Sequence, residues 1–442
     1  MSDAHVGSIP TAFDAIVVGA GPAGSAAALE LARAGRSVAL VERGPYPGSK
    51  NMYGGVVYAG VLDEVIPNWR DEAPVQRWVV RRAMMIMDGD RALTIDYGTP
   101  TWGRPPYNGM TTYRADFDAW LADKAVAAGA RLIPSTVATG LLRDALGRIV
   151  GIHTDRPEGD LRGGVVIACD GSNSFLAKEA GLLPRANAAT HTLGVKEVLD
   201  LSPDVIGERF GLRAGEGLDV EILGCTKGIP GGGFFYTNRA TVSLGVVVRL
   251  PELAASKMRP EMLIEDLKTH PAIAPWVRGA TLREYSAHLI PEGGYNAMPT
   301  LHSDGFLIAG DAGGMCLAAG IWLEGVNFAL GSGLAAGRAA AAAIATGDTS
   351  KAQLASYRRD IGQSFVLGDH KRYRRASHLV LSKRVQQLYP GLLCDLAEGV
   401  FEVTNPKPKP GILRLFLRSR GKRRIGFLGL IRDGLNAARI FR

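Results

Sequence analysis

Three glycines and one carboxylate carry the first chemistry in this chain. In DAIVVGAGPAGSAAALELARAGRSVALVE, residues 14–42, Gly19, Gly21 and Gly24 stand at G-x-G-x-x-G spacing, and Glu42 follows eighteen residues beyond Gly24. Glycine at the first position allows a tight turn. At the second it lets a pyrophosphate approach the backbone, and at the third it brings a helix close to a strand. The helix that starts there offers N–H groups and a positive dipole end to an anion, and the acid at the end of the next strand suits ribose hydroxyls. A second group lies far downstream. GDAGGMCLAAGIWLEG, residues 310–325, carries Gly310-Asp311 at its head, a glycine-rich uncharged run, and Glu324 near its end. A membrane span needs about 20 mostly apolar residues, so Glu324 argues against one. Each glycine would cost about 1 kcal/mol in a simple core helix, so the run points to backbone held close to a ligand.

The elements that position these residues can be read around them. An apolar strand over Ala15–Val18 feeds the glycine turn, a helix covers Ser25–Ala34, and a strand covers Ser37–Val41. Alternation stops after Gly44, so distant segments must complete the sheet. GVVIACDGSNS (164–174), ending its strand at Asp170-Gly171, and GFLIAGDAGG (305–314), ending at Gly310-Asp311, are the candidates. An amphipathic helix opens at Arg114, with Phe117, Leu121 and Ala125 on one face, and ARLIPSTVATGLLRDALGRIVGIHT follows as strands with a turn at Leu146-Gly147.

At 442 residues the chain suggests two or three domains, and 56 glycines suit backbone wrapped around a large ligand. Cys169, Cys225, Cys316 and Cys394 are scattered without a C-x-x-C pair, which predicts reduced thiols and neither a disulfide framework nor a metal or iron–sulfur cage. With no Lys or Arg before Arg33, no secretory signal is expected, and the location predicted is cytoplasmic. The net charge of +8 is uneven: residues 405–442 hold eleven Lys or Arg against Asp433 alone, which leaves about −2 for residues 1–404. Bulky aliphatics interleave those cations, which favours an anionic lipid surface or a partner protein over nucleic acid; a plain solvated face is the bland alternative. No nucleophile triad or clustered histidine appears. Tyr236, His288 and Glu292 are the weak candidates for proton relay, and His270, His288 and His302 otherwise read as structural.

The three-part layout resembles the FAD-dependent α/β Rossmann-type fold of the glutathione reductase and p-hydroxybenzoate hydroxylase kind, with an α+β second domain. That resemblance implies FAD as cofactor, Asp311 on the ribityl chain, Asp170-Gly171 near the pyrophosphate, Arg114 in R-x-x-F-D-x-W-L on the FAD, and the Val137 backbone at the adenine. It implies further contacts from Arg43, Gly54, Gly55, Gly320 and Gly325. GSKNMYGGVVYAGVLDEVIPNW (48–69), LGVKEVLDLSPDVIGERF (193–210), GGGFFYTNRATVSLGVVV (231–248) and EDLKTHPAIAPWVRGATLREYSAHLIPEGG (265–294) are similar to the electron-transfer flavoprotein:quinone oxidoreductase family, within it most to the bacterial Fix-type flavoprotein subunit.

The family implies electrons from a two-subunit electron-transfer flavoprotein leaving to a membrane quinone. Long members carry a four-cysteine [4Fe–4S] module that this sequence lacks, which implies a separate small ferredoxin-like iron–sulfur subunit. A peripheral position on the inner face of the cytoplasmic membrane is expected. Relatives lead us to expect a basic residue where Trp322-Leu323-Glu324 stands. The enzyme alternative is a prenyl reductase of the geranylgeranyl type, and the non-enzymatic one a flavin-binding assembly subunit. The expected layout is an FAD-binding domain over 1–75, 108–185 and 300–345 and a quinone-facing β-sheet domain over 76–107 and 186–299. C-terminal helices over 346–404, read as Leu354–Val366 and Ala376–Tyr389, and the basic tail complete it.

Overall fold

The computed structural model describes residues 10–50, 55–183, 188–320 and 322–442; Gly54 lies outside them. Its first sheet runs in the order His302–Ser303, Phe306–Ile308, Leu161–Ala168, Ala12–Val18, Val38–Val41, Arg131–Ile133. The last five of these are mutually parallel, as apolar runs such as AIVV, VALV and GVVIA require when both faces are covered. A hairpin of Ala138–Arg143 and Ile149–Thr154 adds at the Leu161 end.

Helix Pro22–Arg33 covers this sheet and packs on helix Val326–Thr346. A Cβ on Gly333 or Gly337 would lie 2.1 Å from Ala23 O or 2.6 Å from Ala27 O, so the small residues of the later helix set the distance between the two. Helix Val326–Thr346 is long and apolar enough to cross a membrane, yet 67% of its most apolar window is buried inside the protein.

The second sheet runs Thr281–Pro291, His191–Asp200, Thr241–Arg249, Gly231–Thr237, Glu216–Leu223, Val75–Asp88, Met110–Thr112, Gly55–Val57, with Arg91–Gly98 also on Val75–Asp88. Two strands assigned from sequence to the nucleotide-binding segments, Gly55–Val57 and Met110–Thr112, thus pair into this second sheet. One face of the sheet is apolar: Val195, Phe235 and Val246 pack with Leu263, Ile264 and Leu267 of helix Pro260–Thr269.

The C-terminal third departs from the expected two helices. Helices span Lys351–Gln363, Phe365–Arg372, Ala376–Val380 and Tyr389–Phe401. Ser364 ends one and caps the next by accepting from Val366 N, and Pro390 fits the first turn of another, where no N–H is needed. The basic segment is folded as well, into helices Ile412–Lys422 and Phe427–Ile440. Its inner side is tied to the body by charge. Asp395 accepts from Arg91 (2.9 Å), Lys422 (3.0 Å) and Arg423 (2.7 Å), and Arg423 also reaches Asp88 at 2.7 Å. Asp433 is held by Arg384 and the Tyr389 hydroxyl.

Candidate functional site

The three motif glycines do different work. Gly19 has φ +100°, and a Cβ there would sit 2.3 Å from Cys169 O; one on Gly24 would sit 1.8 Å from Gly19 O. Both are demanded by packing within the protein. A Cβ on Gly21 would meet nothing nearer than Arg114 NH2 at 3.9 Å, so this glycine faces open space. Gly21 is also the N-cap of helix Pro22–Arg33, and no side chain caps it. Uncapped first-turn N–H groups beside a side-chain-free position form a cradle for an anion.

Glu42 ends its strand 9% exposed, and its carboxylate accepts from Ala20 N at 3.0 Å and Gly44 N at 2.7 Å. Those bonds lock the glycine loop against the second strand, and each oxygen keeps a lone pair for a ribose hydroxyl. Asp170 is the corresponding acid of the third strand. Its Oδ2 accepts from Leu176 N at 3.4 Å, while its buried Oδ1 has no partner among the described residues, and burial raises its pKa. Gly171 follows at φ +81°.

Asp311 lies in the short turn Gly310–Gly313 after strand Phe306–Ile308. Gly310 takes φ +64° and donates its N–H to Ser332 Oγ at 3.0 Å, which fixes the turn on the long helix. Burial raises the Asp311 pKa, and His288 and Arg114 beside it pull it back. Arg114 in turn clamps Asp118 with Nε at 2.8 Å and Nη2 at 2.9 Å, and it stands beside both Gly21 and Asp311. Arg43 is exposed on the same side and adds positive charge near His288, whose pKa burial lowers.

After Asp311 the run is not the start of a helix. Leu317–Ala318 pairs with Leu323–Glu324 in a two-stranded hairpin, and the helix begins only at Val326 with Gly325 as its uncapped N-cap. This hairpin closes one side of a cavity of about 500 Å³. The second sheet lines it through Phe234, Tyr236 and Ile290, with Glu292 just past the end of strand Thr281–Pro291, and Gly320 and Gly325 line it as well. Glu324 lines the same cavity and accepts from Asn327 Nδ2, so a carboxyl stands where a basic residue is expected.

Of the three relay candidates, the structure brings Tyr236 and Glu292 together on the cavity and leaves His288 apart, facing Asp311 and Arg114. Burial lifts Glu292 to about 7, and burial also raises the Tyr236 pKa. The Val137 N–H donates to Asp155 Oδ1 at 2.8 Å and its carbonyl accepts from Asp155 N at 3.2 Å. Gly55 lies at the strand edge with open space beside it. Asp219 and Glu221, which the sequence motifs do not single out, also line the cavity.

Gly19 packs against Cys169 and Asp170, and Gly310 against Ala23, so the cradle at Gly21, the orphaned Asp170 oxygen and the acid at Asp311 belong to loops that meet beyond the first sheet, and they fit FAD. This site and fold define an FAD-dependent oxidoreductase: residues 14–191 match the family model for FAD dependent oxidoreductases. The chain belongs to the FixC family. It is 39% identical to Protein FixC of Escherichia coli K12 over 97% of this chain and 99% of that one. It is also 39% identical to the probable electron transfer flavoprotein-quinone oxidoreductase YdiS of the same organism, over 96% and 98%. Among solved structures, a geranylgeranyl bacteriochlorophyll reductase-like protein of Thermoplasma acidophilum superposes with a TM-score of 0.71 at 18% identity, covering 96% of this chain and 99% of that one. At that identity the likeness is one of fold.

Asp311→Ala should lower FAD affinity about ten- to a hundredfold, since a lost charged acceptor leaves partner groups unpaired at a cost of about 1–3 kcal/mol. Flavin fluorescence on titration of the apoprotein measures it, and unchanged affinity would remove Asp311 from the site.

Proposed function

We propose that this chain is the flavoprotein subunit of a Fix-type complex, passing electrons from a two-subunit electron-transfer flavoprotein through FAD to a membrane quinone. The observation that carries the reading is the cavity of about 500 Å³, lined by Gly320 and Gly325 together with Phe234, Tyr236 and Ile290. Such a wall suits an uncharged ring, and the carboxyls of Glu292 and Glu324 and the Tyr236 hydroxyl offer polar contacts to its oxygens. The names of the FixC and YdiS relatives agree with it.

Bound FAD supplies the exchange between one-electron and two-electron carriers. The chain's own residues do the rest: the Gly21 cradle, Asp170, Asp311 and Arg114 hold and orient the cofactor, while Phe234 and Ile290 keep water from the ring. A small ferredoxin-like subunit supplies the iron–sulfur centre; the wide spacing of Cys169, Cys225, Cys316 and Cys394 supports this part of the reading. The helices Ile412–Lys422 and Phe427–Ile440 rest on the inner, anionic face of the cytoplasmic membrane.

The test is reconstitution. Co-expressed with both partners, the chain should co-purify with them and reduce a short-chain quinone with electrons from the electron-transfer flavoprotein. The prenyl-reductase alternative predicts instead that the isolated chain saturates prenyl double bonds with a simple reductant; that result would overturn the quinone reading.

A further inference from the structure

Strand Glu216–Leu223 lies inside the second sheet, between Gly231–Thr237 and Val75–Asp88. Asp219 and Glu221 are two residues apart on it and so share a face. That face is the cavity wall. Asp219 is 3% exposed and takes Arg82 Nε on its Oδ2 at 3.1 Å. Glu221 Oε2 is buried without a hydrogen-bond partner among the described residues.

Among the described residues, the other ionisable groups that line this cavity are Tyr58, Tyr236, Glu292, Cys316 and Glu324. Tyr58 lies under the Arg82 guanidinium, 5.5 Å from it to the ring centroid. Tyr236 comes from the adjacent strand, and Glu324 from the hairpin. None of the five brings positive charge. Two strand carboxyls, with Glu324 and Glu292 beyond them, therefore share the guanidinium of Arg82, the one cation that acts on the pair among the described residues. A buried site of this kind neutralises one carboxylate by pairing and the next by keeping its proton. Asp219 has the direct bond to Arg82, so the proton falls to Glu221. Burial raises the Glu221 pKa well above the usual carboxylate range; Asp219 adds to the rise and Arg82 opposes it. Burial also raises the pKa of Tyr58 and of Tyr236, which stay as phenols.

We propose that Glu221 is the proton donor to a quinone oxygen in this cavity, with Asp219 and Arg82 as its positioning pair. This rests on the quinone reading above. Reduction of a quinone to its quinol consumes two electrons and two protons, and the electrons come from the reduced flavin. At its proton step the Glu221 O–H bond breaks and an O–H bond forms on the quinone. Arg82 steadies the carboxylate left behind. Glu221 delivers one of the two protons; the second reaches the other quinone oxygen from solvent in the cavity, and because Glu221 is only half-buried as a residue the same solvent reprotonates it.

The test uses the FAD-loaded protein, chemically reduced and mixed with a short-chain quinone. E221Q keeps the shape and the neutral charge but has no acidic proton. Its reoxidation by quinone should slow about 10²- to 10⁴-fold, the range of a lost general acid. E221D should recover a substantial part of the rate. Reoxidation by ferricyanide, which takes electrons without protons, should change less than about twofold, a bound set by the absence of any acid step. The wild-type quinone rate should fall as pH rises through the Glu221 pKa, because only the protonated form donates; E221Q should lack that limb and E292Q should keep it. Independently of turnover, infrared difference spectra on binding a redox-inert quinone analogue should show a protonated-carboxyl band that E221Q removes and E292Q, the control at the other raised carboxyl of the cavity, leaves.

A quinone rate in E221Q equal to wild type, or a carboxyl band that E292Q removes and E221Q leaves, overturns the assignment of Glu221 while leaving the quinone reading in place. A wild-type protein that neither binds the analogue nor reduces quinone overturns both.

Discussion

Gly21→Val is expected to purify folded and colourless. The usual difficulty with glycine substitutions in this motif is that they break the fold along with the site, and here the structure separates the two. A side chain on Gly24 would drive into Gly19 O, and one on Gly19 into Cys169 O while forcing a positive φ on a β-branched residue. At Gly21 the space beyond Cα is open, with Arg114 NH2 at 3.9 Å as the nearest atom, and the backbone is extended at φ −78°, ψ −174°, which valine tolerates. What the valine fills is the approach to the uncapped helix N-terminus. A pyrophosphate there would lose its contact with the first-turn N–H groups, each charge-assisted bond being worth about 1.5–3 kcal/mol. Two such bonds correspond to a loss of roughly two to four orders of magnitude in affinity. The apoprotein should keep its circular dichroism and its melting midpoint to within a few degrees of the wild-type apoprotein. Stoichiometric flavin in the purified variant would mean that the cradle is not the pyrophosphate site.

The same contrast shows what the sequence could carry. G-x-G-x-x-G with a strand before it and an acid after it is legible because each position answers a local demand: a turn, a close approach, a packing distance. Glu42 illustrates the limit. Its place at a strand end is visible, but its bonds to Ala20 N and Gly44 N depend on how the loop folds back, which no spacing rule encodes. The parallel first sheet was likewise readable, since AIVV, VALV and GVVIA are too uniformly apolar for a sheet with one wet face.

Glu221 was hidden for a different reason. GLDVEIL alternates, and alternation marks two faces without saying which meets water. Asp219 and Glu221 therefore read as a solvated edge until the strand is seen between two neighbours with a cavity on its polar side. The signal that existed was Arg81-Arg82 in VVRRAMMIMD: neighbours on a strand point to opposite faces, so one of the two cations must face inward and asks for a buried carboxylate. The hairpin at Leu317–Glu324 escaped because two-residue strands are too short to show a period. The divided C-terminal helices turn on Ser364 and Pro390, single residues inside otherwise helical composition.

Removing residues 405–442 would be a poor test of their role, because it would strip Arg423 and Lys422 from Asp395, 5% exposed, and take Phe441 from Trp322 and from the cavity wall. Breaking a buried ion pair by removing one partner costs about 3–5 kcal/mol, enough to confuse lost binding with lost fold. The outward faces can be changed instead. Leu413 is 71% exposed, Leu428 83% and Ile431 46%, while Leu415 and Ile440, 8% each, hold the helices inward. Arg414, Arg418, Arg424 and Arg432 lie among the exposed apolar residues, so the surface offers insertion and charge together.

Each aliphatic side chain moved from water into lipid gains about 1.5–3 kcal/mol when fully buried, and each cation near an anionic surface about 1 kcal/mol. Replacing Leu413, Leu428 and Ile431 with serine should therefore weaken binding to anionic vesicles at least about a hundredfold, even if insertion is only partial. FAD content and melting temperature should hold, since none of the three side chains packs in the core. Raising the salt should weaken wild-type binding further by shortening the reach of the arginines, about 10 Å at 0.1 M and 3 Å at 1 M. Vesicle flotation of the wild type and the triple variant measures both effects. If the variant floats with vesicles as the wild type does but no longer co-purifies with the ferredoxin-like subunit, the surface is a protein interface, and the membrane assignment of these helices falls.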